Sequence, residues 1–106
     1  MILVLTNILE TLILASPKKA MAFGKIVVDH INSGNEVTLD FSGVEGVTVG
    51  FLYLLFTRIY KECGKNIHRL VNVVNVPERA KDSFHYLRNN YEELDSRFAG
   101  LMIPTA

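Results

Sequence analysis

The segment that decides the fold is EVTLDFSGVEGVTVGFLYLLFTRIYKECG, residues Glu36 to Gly64. Apolar and polar residues alternate over positions 36–41, as they do in a β-strand with one buried face. SGVEGVT then forms a loop, Thr48 is a natural N-cap for a helix, and Gly64 is a natural end for it. The segment therefore predicts a strand, a loop and a helix, an arrangement in which a site often lies at the helix start.

The chain has 106 residues, of which 49% are hydrophobic and 21% are charged. These values are typical of one globular domain, so residues 1–106 are expected to form a single unit. A single cysteine, Cys63, excludes an internal disulfide and a cysteine-rich zinc site, which fits a reducing compartment.

The N-terminal run lacks the basic residues of a signal peptide, and Asn7 and Glu10 interrupt it. No segment approaches the ~20 apolar residues that cross a bilayer. We therefore expect a cytoplasmic protein with no membrane partner.

The charge balance argues against nucleic acid as a partner. Lys+Arg and Asp+Glu number 11 each, whereas a domain that binds phosphates normally has a basic excess. Residues 58–88 are locally basic, with Arg58, Lys61, Lys65, Arg69, Arg79, Lys81 and Arg88 against Glu62, Glu78 and Asp82. Solvated helix faces explain these charges more simply than a nucleic-acid surface.

Before the central segment, residues 2–5 and 11–14 are predicted strands that could pair as a hairpin. Ser16 and Pro17 mark a helix start, and Asn32-Ser33-Gly34 marks its end. Gly24 lies in the apolar stripe of this helix, where it is expected to let the helix approach the sheet closely.

After the central segment, residues 66–74 are predicted to form a strand, and a helix follows near Pro77. Apolar residues continue at helical spacing to Phe98, with a break expected at Asn89-Asn90 and a loose tail over 100–106. The whole order predicts an α/β fold: a single mixed, partly parallel sheet of about four strands with helices packed on it.

The central segment resembles a known family. VTLDFSGV at 37–44 and FLYLLF at 51–56 are similar to the V-x-L-D-F-x-x-V … S-F-x-x-x-L-F signature of the bacterial and phage STAS-like family of unknown function. The likeness covers roughly residues 12–90 and implies a STAS-like fold. This family is related to the STAS domains of anti-sigma factor antagonists, which bind a kinase-type anti-sigma factor.

The resemblance places Thr48, Val49 and Gly50 where those antagonists have Asp, Ser and Ser, the second Ser being the phosphorylated residue. Gly50 cannot be phosphorylated, so the usual phosphoserine is absent. Thr48 is the remaining hydroxyl, and an N-cap role explains it more simply than a regulatory phosphosite, although a phosphate there would meet the positive end of the helix dipole.

The residues give no basis for an enzyme. His30, His68 and His85 are scattered without metal-ligand spacing, and Asp40 has no second carboxylate for acid and base catalysis. Cys63 is interpreted as a small core residue at a helix end, where the dipole disfavours a thiolate. We therefore predict no catalytic residue, metal or cofactor.

A helical wheel of the central helix places three large apolar residues on its water-facing side: Phe51, Leu54 and Leu55. Such a patch must be covered. The tail, with Leu101, Met102 and Ile103, could cover it, as could the last helix. Otherwise a partner protein or a second copy covers it.

The leading hypothesis is a regulatory module that binds a protein through Phe51, Leu54 and Leu55, with Arg58 and Glu45 at the rim. The partner would be a kinase-type anti-sigma factor or a host complex. Two alternatives stay open. One is a homodimeric phage or mobile-element protein that inhibits a host complex. The other is a nucleic-acid-associated protein that uses Arg58, Lys61, Lys65, Arg69 and Arg88.

Overall fold

A computed structural model describes residues 1–90, with only the backbone described at 88 and 89. The elements in chain order are β1 (Ile2–Val4), α1 (Leu5–Leu9), β2 (Ile13–Leu14), α2 (Pro17–Asn32), β3 (Val37–Asp40), β4 (Gly46–Val47), α3 (Val49–Cys63), α4 (Ile67–Leu70), β5 (Val71–Val74) and α5 (Lys81–Asn89). Short 3-10 turns cover Gly64–Asn66 and Glu78–Ala80. The predicted α/β class is confirmed.

The strands form two sheets in which every pair is parallel, whereas the sequence predicted a single mixed sheet. The larger has the order β1-β3-β5, with Ile2 beside Thr38 and Thr38 beside Asn72. The smaller pairs β2 with β4. The predicted hairpin is therefore wrong, because β1 and β2 enter different sheets and α1 separates them.

The larger sheet buries one face. Leu3, Val37, Leu39 and Val71 are buried there, as expected where helices cover a sheet. On the opposite face Ile2 is the most exposed large apolar residue among those described, at 67%. The sheet is thus packed on one side by the helices of the described chain.

Helix α2 has the predicted ends. The Ser16 hydroxyl accepts a hydrogen bond from Lys19 N–H (3.2 Å), Pro17 opens the helix, and Gly34 beyond its end has φ +91°. Among the described helices, α2 makes its main contact with α3. Because each helix directly follows one strand of the parallel β2 and β4 pair, the two begin at the same end of the molecule.

Gly24 sets the distance between α2 and α3. A Cβ atom built on Gly24 would lie 2.8 Å from Cγ and 3.1 Å from Cβ of Arg58, and 3.8 Å from Cδ1 of Leu55. Gly24 does permit a close approach, but the predicted neighbour is wrong, because α3 and not the sheet lies against it. The aliphatic part of Arg58 occupies the space that a side chain would fill.

Only the second half of the predicted strand at 66–74 is a strand. Residues Ile67–Leu70 form α4, and only Val71–Val74 pair with β3. Ile67 in this helical turn is buried in the core. Its tertiary packing therefore outweighs the preference of β-branched residues for a strand.

Helix α5 packs on α3 through an edge-to-face contact between Phe84 and Phe56, with ring centroids 5.2 Å apart. It ends at Asn89, as the Asn89-Asn90 pair predicts. The apolar stripe beyond it and the predicted tail lie outside the described residues. Among residues 1–90, no helix combines the length and apolar content needed to cross a membrane.

Gly24→Val tests the close approach of α2 and α3. The added methyl groups would meet the Arg58 side chain, and overpacking of this kind costs about 1–3 kcal/mol of unfolding free energy. Chemical denaturation followed by circular dichroism measures the loss. Combining the change with Arg58→Ala should recover part of it, and a double variant no more stable than Gly24→Val alone would contradict the assignment.

Candidate functional site

The start of α3 has the predicted N-cap. Thr48 Oγ1 accepts a hydrogen bond from Phe51 N–H (3.1 Å), and Thr48 N–H donates to the Leu14 carbonyl (2.9 Å). Thr48 is exposed, and its φ of −87° and ψ of 153° are the extended values of an N-cap. Whether Thr48 is phosphorylated stays a prediction.

The predicted water-facing patch is wrong in its placement. Phe51 is 1% exposed and Leu55 is fully buried, while Leu54 and Arg58 are half-buried. The helical wheel assumed one buried side, facing the sheet. Helix α3 is instead contacted by both α2 and α5, and Leu55 lies beside Gly24 of α2.

Large apolar side chains do lie exposed beside the start of α3, at other positions. Leu12 is 46% exposed, Ile13 53% and Val49 55%. We call these three residues the α3-start surface. The sequence pattern does not indicate this surface, because Leu12 and Ile13 belong to a distant segment for which it predicts only a strand.

Backbone hydrogen bonds join the parts of the α3-start surface. The Leu12 carbonyl accepts from Glu45 N–H (2.8 Å) and Gly46 N–H (3.3 Å). Ile13 Cδ1 lies 3.5 Å from the position that a Cβ atom on Gly46 would occupy, which is an ordinary van der Waals distance. Glu45 is exposed in the loop before α3. Its role as a rim residue stays a prediction.

A polar network fixes the loop that precedes α3. Asp40 Oδ1 accepts hydrogen bonds from the Ser42 hydroxyl (2.6 Å), the Ser42 N–H (2.9 Å) and Asn75 Nδ2 (3.0 Å). Asn75 Nδ2 also donates to Ser42 Oγ (3.0 Å), and Thr6 Oγ1 donates to the Ser42 carbonyl (3.3 Å). The network thus ties together the carboxyl ends of β3 and β5 and the first turn of α1.

These bonds change the acidity of Asp40. The Ser42 hydroxyl, then the Asn75 amide and the Ser42 N–H, stabilise the carboxylate and lower the pKa of Asp40 below its ordinary value of 3.8. Asn75 adopts a left-handed backbone, with φ +58°, which brings its side chain over the end of β3. The sequence placed Asp40 at a strand end without indicating Asn75 as its partner.

The profile of one family, the STAS-like domain of unknown function (DUF4325), matches residues 23–79, more than half of the 106 residues. The chain belongs to this family. The predicted resemblance is confirmed. No curated protein and no solved structure shows significant similarity to the chain. The matched part of this STAS-like domain runs from within α2 into the turn before α5. It contains Asp40, Ser42, Asn75 and Val49, whereas Thr6, Leu12 and Ile13 precede it.

The remaining sequence candidates lie apart in the STAS-like domain. His30 on α2 is half-buried, while His68 on α4 and His85 on α5 are exposed. Residues 1–90 contain no group of three His, Cys, Asp or Glu side chains that could hold a metal ion. Cys63 is half-buried against the core, and this burial, followed by the nearby Glu62 charge, raises the pKa of its thiol.

The basic residues proposed for nucleic acid occupy several elements. Lys61 on α3, Lys65 in the following turn and Arg69 on α4 are exposed, and Arg58 covers Gly24. The side chain of Arg88 lies outside the described residues. Nucleic-acid binding by these residues stays a prediction.

Replacing Thr48 tests the helix cap. Thr48→Ala removes the acceptor for Phe51 N–H and should cost about 1 kcal/mol of unfolding free energy. Thr48→Ser keeps the oxygen and should retain most of the stability. Urea denaturation of both variants measures the difference, and equal stability of the alanine and wild-type proteins would show that the hydrogen bond contributes nothing.

Replacing Asp40 tests the loop network through pH. Because the folded-state pKa is lowered, the carboxylate contributes stability that is present above the ordinary pKa of 3.8 and is lost as pH falls through the lowered value. Asp40→Asn should therefore show a smaller loss of thermal stability on acidification than wild type. Asp29→Asn, at an exposed position on α2, controls for removal of one carboxylate. Identical acid profiles for Asp40→Asn and wild type would contradict the assignment.

Proposed function

We propose that this STAS-like domain is a non-enzymatic regulatory module that binds a partner protein through the α3-start surface. The observation that carries the proposal is the exposure of Leu12, Ile13 and Val49, between 46% and 55%, on segments joined by backbone hydrogen bonds. Apolar side chains held out on a fixed backbone can bury area in a partner without a large ordering cost.

The proposed surface replaces part of the predicted one. Phe51 and Leu55 are core residues, so they support the surface from beneath and do not contact a partner. Glu45 remains a rim residue, whereas the half-buried Leu54 and Arg58 lie further along α3, with Arg58 against Gly24. A rim of charged groups around an apolar centre is common in protein interfaces.

The partner is proposed from the relationship to anti-sigma factor antagonists. Their STAS domains dock a kinase-type anti-sigma factor beside the corresponding helix, and such a protein is the first candidate here. Gly50 stands where they have the phosphorylated serine, so serine phosphorylation at that position would not control binding in this chain. Within this turn, control by a phosphate would have to act at Thr48, an exposed residue whose Oγ1 caps α3.

The experiment starts with affinity capture from the native host and identification of the bound protein by mass spectrometry. The captured protein is then purified, and its dissociation constant is measured by calorimetry with wild type, Val49→Glu and Ile13→Glu. Each charge should weaken binding at least about tenfold, because it must be desolvated at the centre of the interface.

Val49→Glu is suited to this test because it should leave the fold intact. The first turn of α3 has no acidic residue, and a carboxylate there interacts favourably with the helix dipole. Tyr86→Glu, at an α5 position that is also 55% exposed, is the matched control and should bind like wild type. If both surface variants bind the partner as wild type does, the α3-start surface is not the binding site.

A further inference from the structure

Strand β1 uses only one of its two edges within residues 1–90. Thr38 N–H donates to the Met1 carbonyl (2.8 Å), so in this parallel ladder the N–H and C=O of Leu3 also face β3. The N–H and C=O of Ile2, and the N–H of Val4, therefore point away from β3. Among the described strands, none lies on that side.

This open edge is apolar and lacks the usual protection. Met1 is 56% exposed and Ile2 67%, the two highest values among the exposed large hydrophobic residues. Residues 1–5 contain no charge on a side chain and no proline. Proteins commonly use charges, prolines or bulges to keep such an edge from pairing with another strand.

The outer edge of β2 differs from that of β1 in how its backbone groups are hydrogen-bonded. The carbonyls of Leu12 and Leu14 face β4, so the polar backbone groups of Ile13 lie on the outer edge. There Ile13 N–H donates to Thr11 Oγ1 (3.2 Å), and the Thr11 hydroxyl donates to the Ile13 carbonyl (3.1 Å). The edge of β2 is thus satisfied by the Thr11 side chain, whereas within residues 1–90 no such bond is found at the outer groups of Ile2.

We propose that β1 pairs with β1 of a second copy, antiparallel across a two-fold axis, so that two three-stranded sheets become one six-stranded sheet. With the axis beside Leu3, the N–H and C=O of Ile2 meet the C=O and N–H of Val4 in the second copy. The Ile2 side chain then packs beside Val4 of that copy, as cross-strand neighbours do. The Val4 carbonyl, at the start of α1, has a second lone pair for this bond.

A second copy fits this edge better than an unrelated segment. The edge must receive an extended strand without charges or proline, and β1 itself has that composition in every copy. Two-fold pairing also uses the open edge of β1 in both copies, so assembly stops at the dimer. A three-residue strand buries much less than the ~800 Å² per partner of a stable interface, so the dimer is weak and concentration-dependent.

The dimer is independent of the proposed function, because it uses neither Leu12, Ile13 nor Val49. Sedimentation velocity of the purified chain over a concentration series tests it, and the average mass should rise from 11.9 kDa toward twice that value. Amide hydrogen exchange by NMR gives the specific signature. The Ile2 and Val4 amides should gain protection as concentration rises, while the Thr38 amide, already bonded, should be unchanged.

Two variants separate backbone pairing from side-chain adhesion. Ile2→Pro removes the outward N–H and spares the Leu3 bonds to β3, and Ile2→Lys adds a charge to the edge. Each should weaken the dimer at least about tenfold. Ile13→Lys, at a β2 position of similar exposure (53%), is the control and should dimerise like wild type.

The outcomes that overturn the proposal are distinct. A wild-type protein that stays monomeric at every concentration would do so, as would an Ile2→Pro variant that folds and dimerises like wild type. Loss of the dimer in Ile13→Lys would show that the dimer interface lies elsewhere than at the β1 edge. If Ile2→Pro fails to fold by circular dichroism, the amide protection of wild-type Ile2 and Val4 decides, and no gain in protection rejects the pairing.

Discussion

The fold depends on the close contact between α2 and α3 at Gly24. With no side chain at this position, α2 lies against the stem of Arg58 and the end of Leu55. With α2 against it here and α5 also packed on it, α3 buries more than one side. Its aromatic and aliphatic residues then belong to one continuous core that reaches the Phe84 ring on α5.

Much of this architecture could be predicted from the sequence because local signals agree with the tertiary structure. The Ser16 and Thr48 caps and the end of α2 at Gly34 follow from chemistry within a few residues. The division of strands between two sheets could not be predicted, since pairing partners lie over 30 residues apart along the chain. The turn at Ile67 also depends on burial that the local pattern does not reveal.

The sequence indicates where the candidate site lies but not which residues form it. The loop and the start of α3 were indicated by the family-like segment, and Glu45 and Thr48 are exposed there. A helical wheel assigns one buried side, so it misplaced Phe51. The exposed partners of Val49 come from β2, which reaches the loop only through the parallel pairing of Ile13 with Gly46. The spacing of residues along the sequence does not indicate that contact.

The shared direction of α2 and α3 gives this neutral chain an electrical polarity. Both helices begin at the end of the molecule that carries the α3-start surface, and neither has an acidic residue in its first turn. Their partial positive charges therefore add, and the exposed Lys18 beside Pro17 adds a full one, while the exposed Glu45 offsets part of the sum. Charge is thus distributed unevenly in a chain whose formal net charge is zero, and these local charges act on an approaching protein most strongly at low ionic strength.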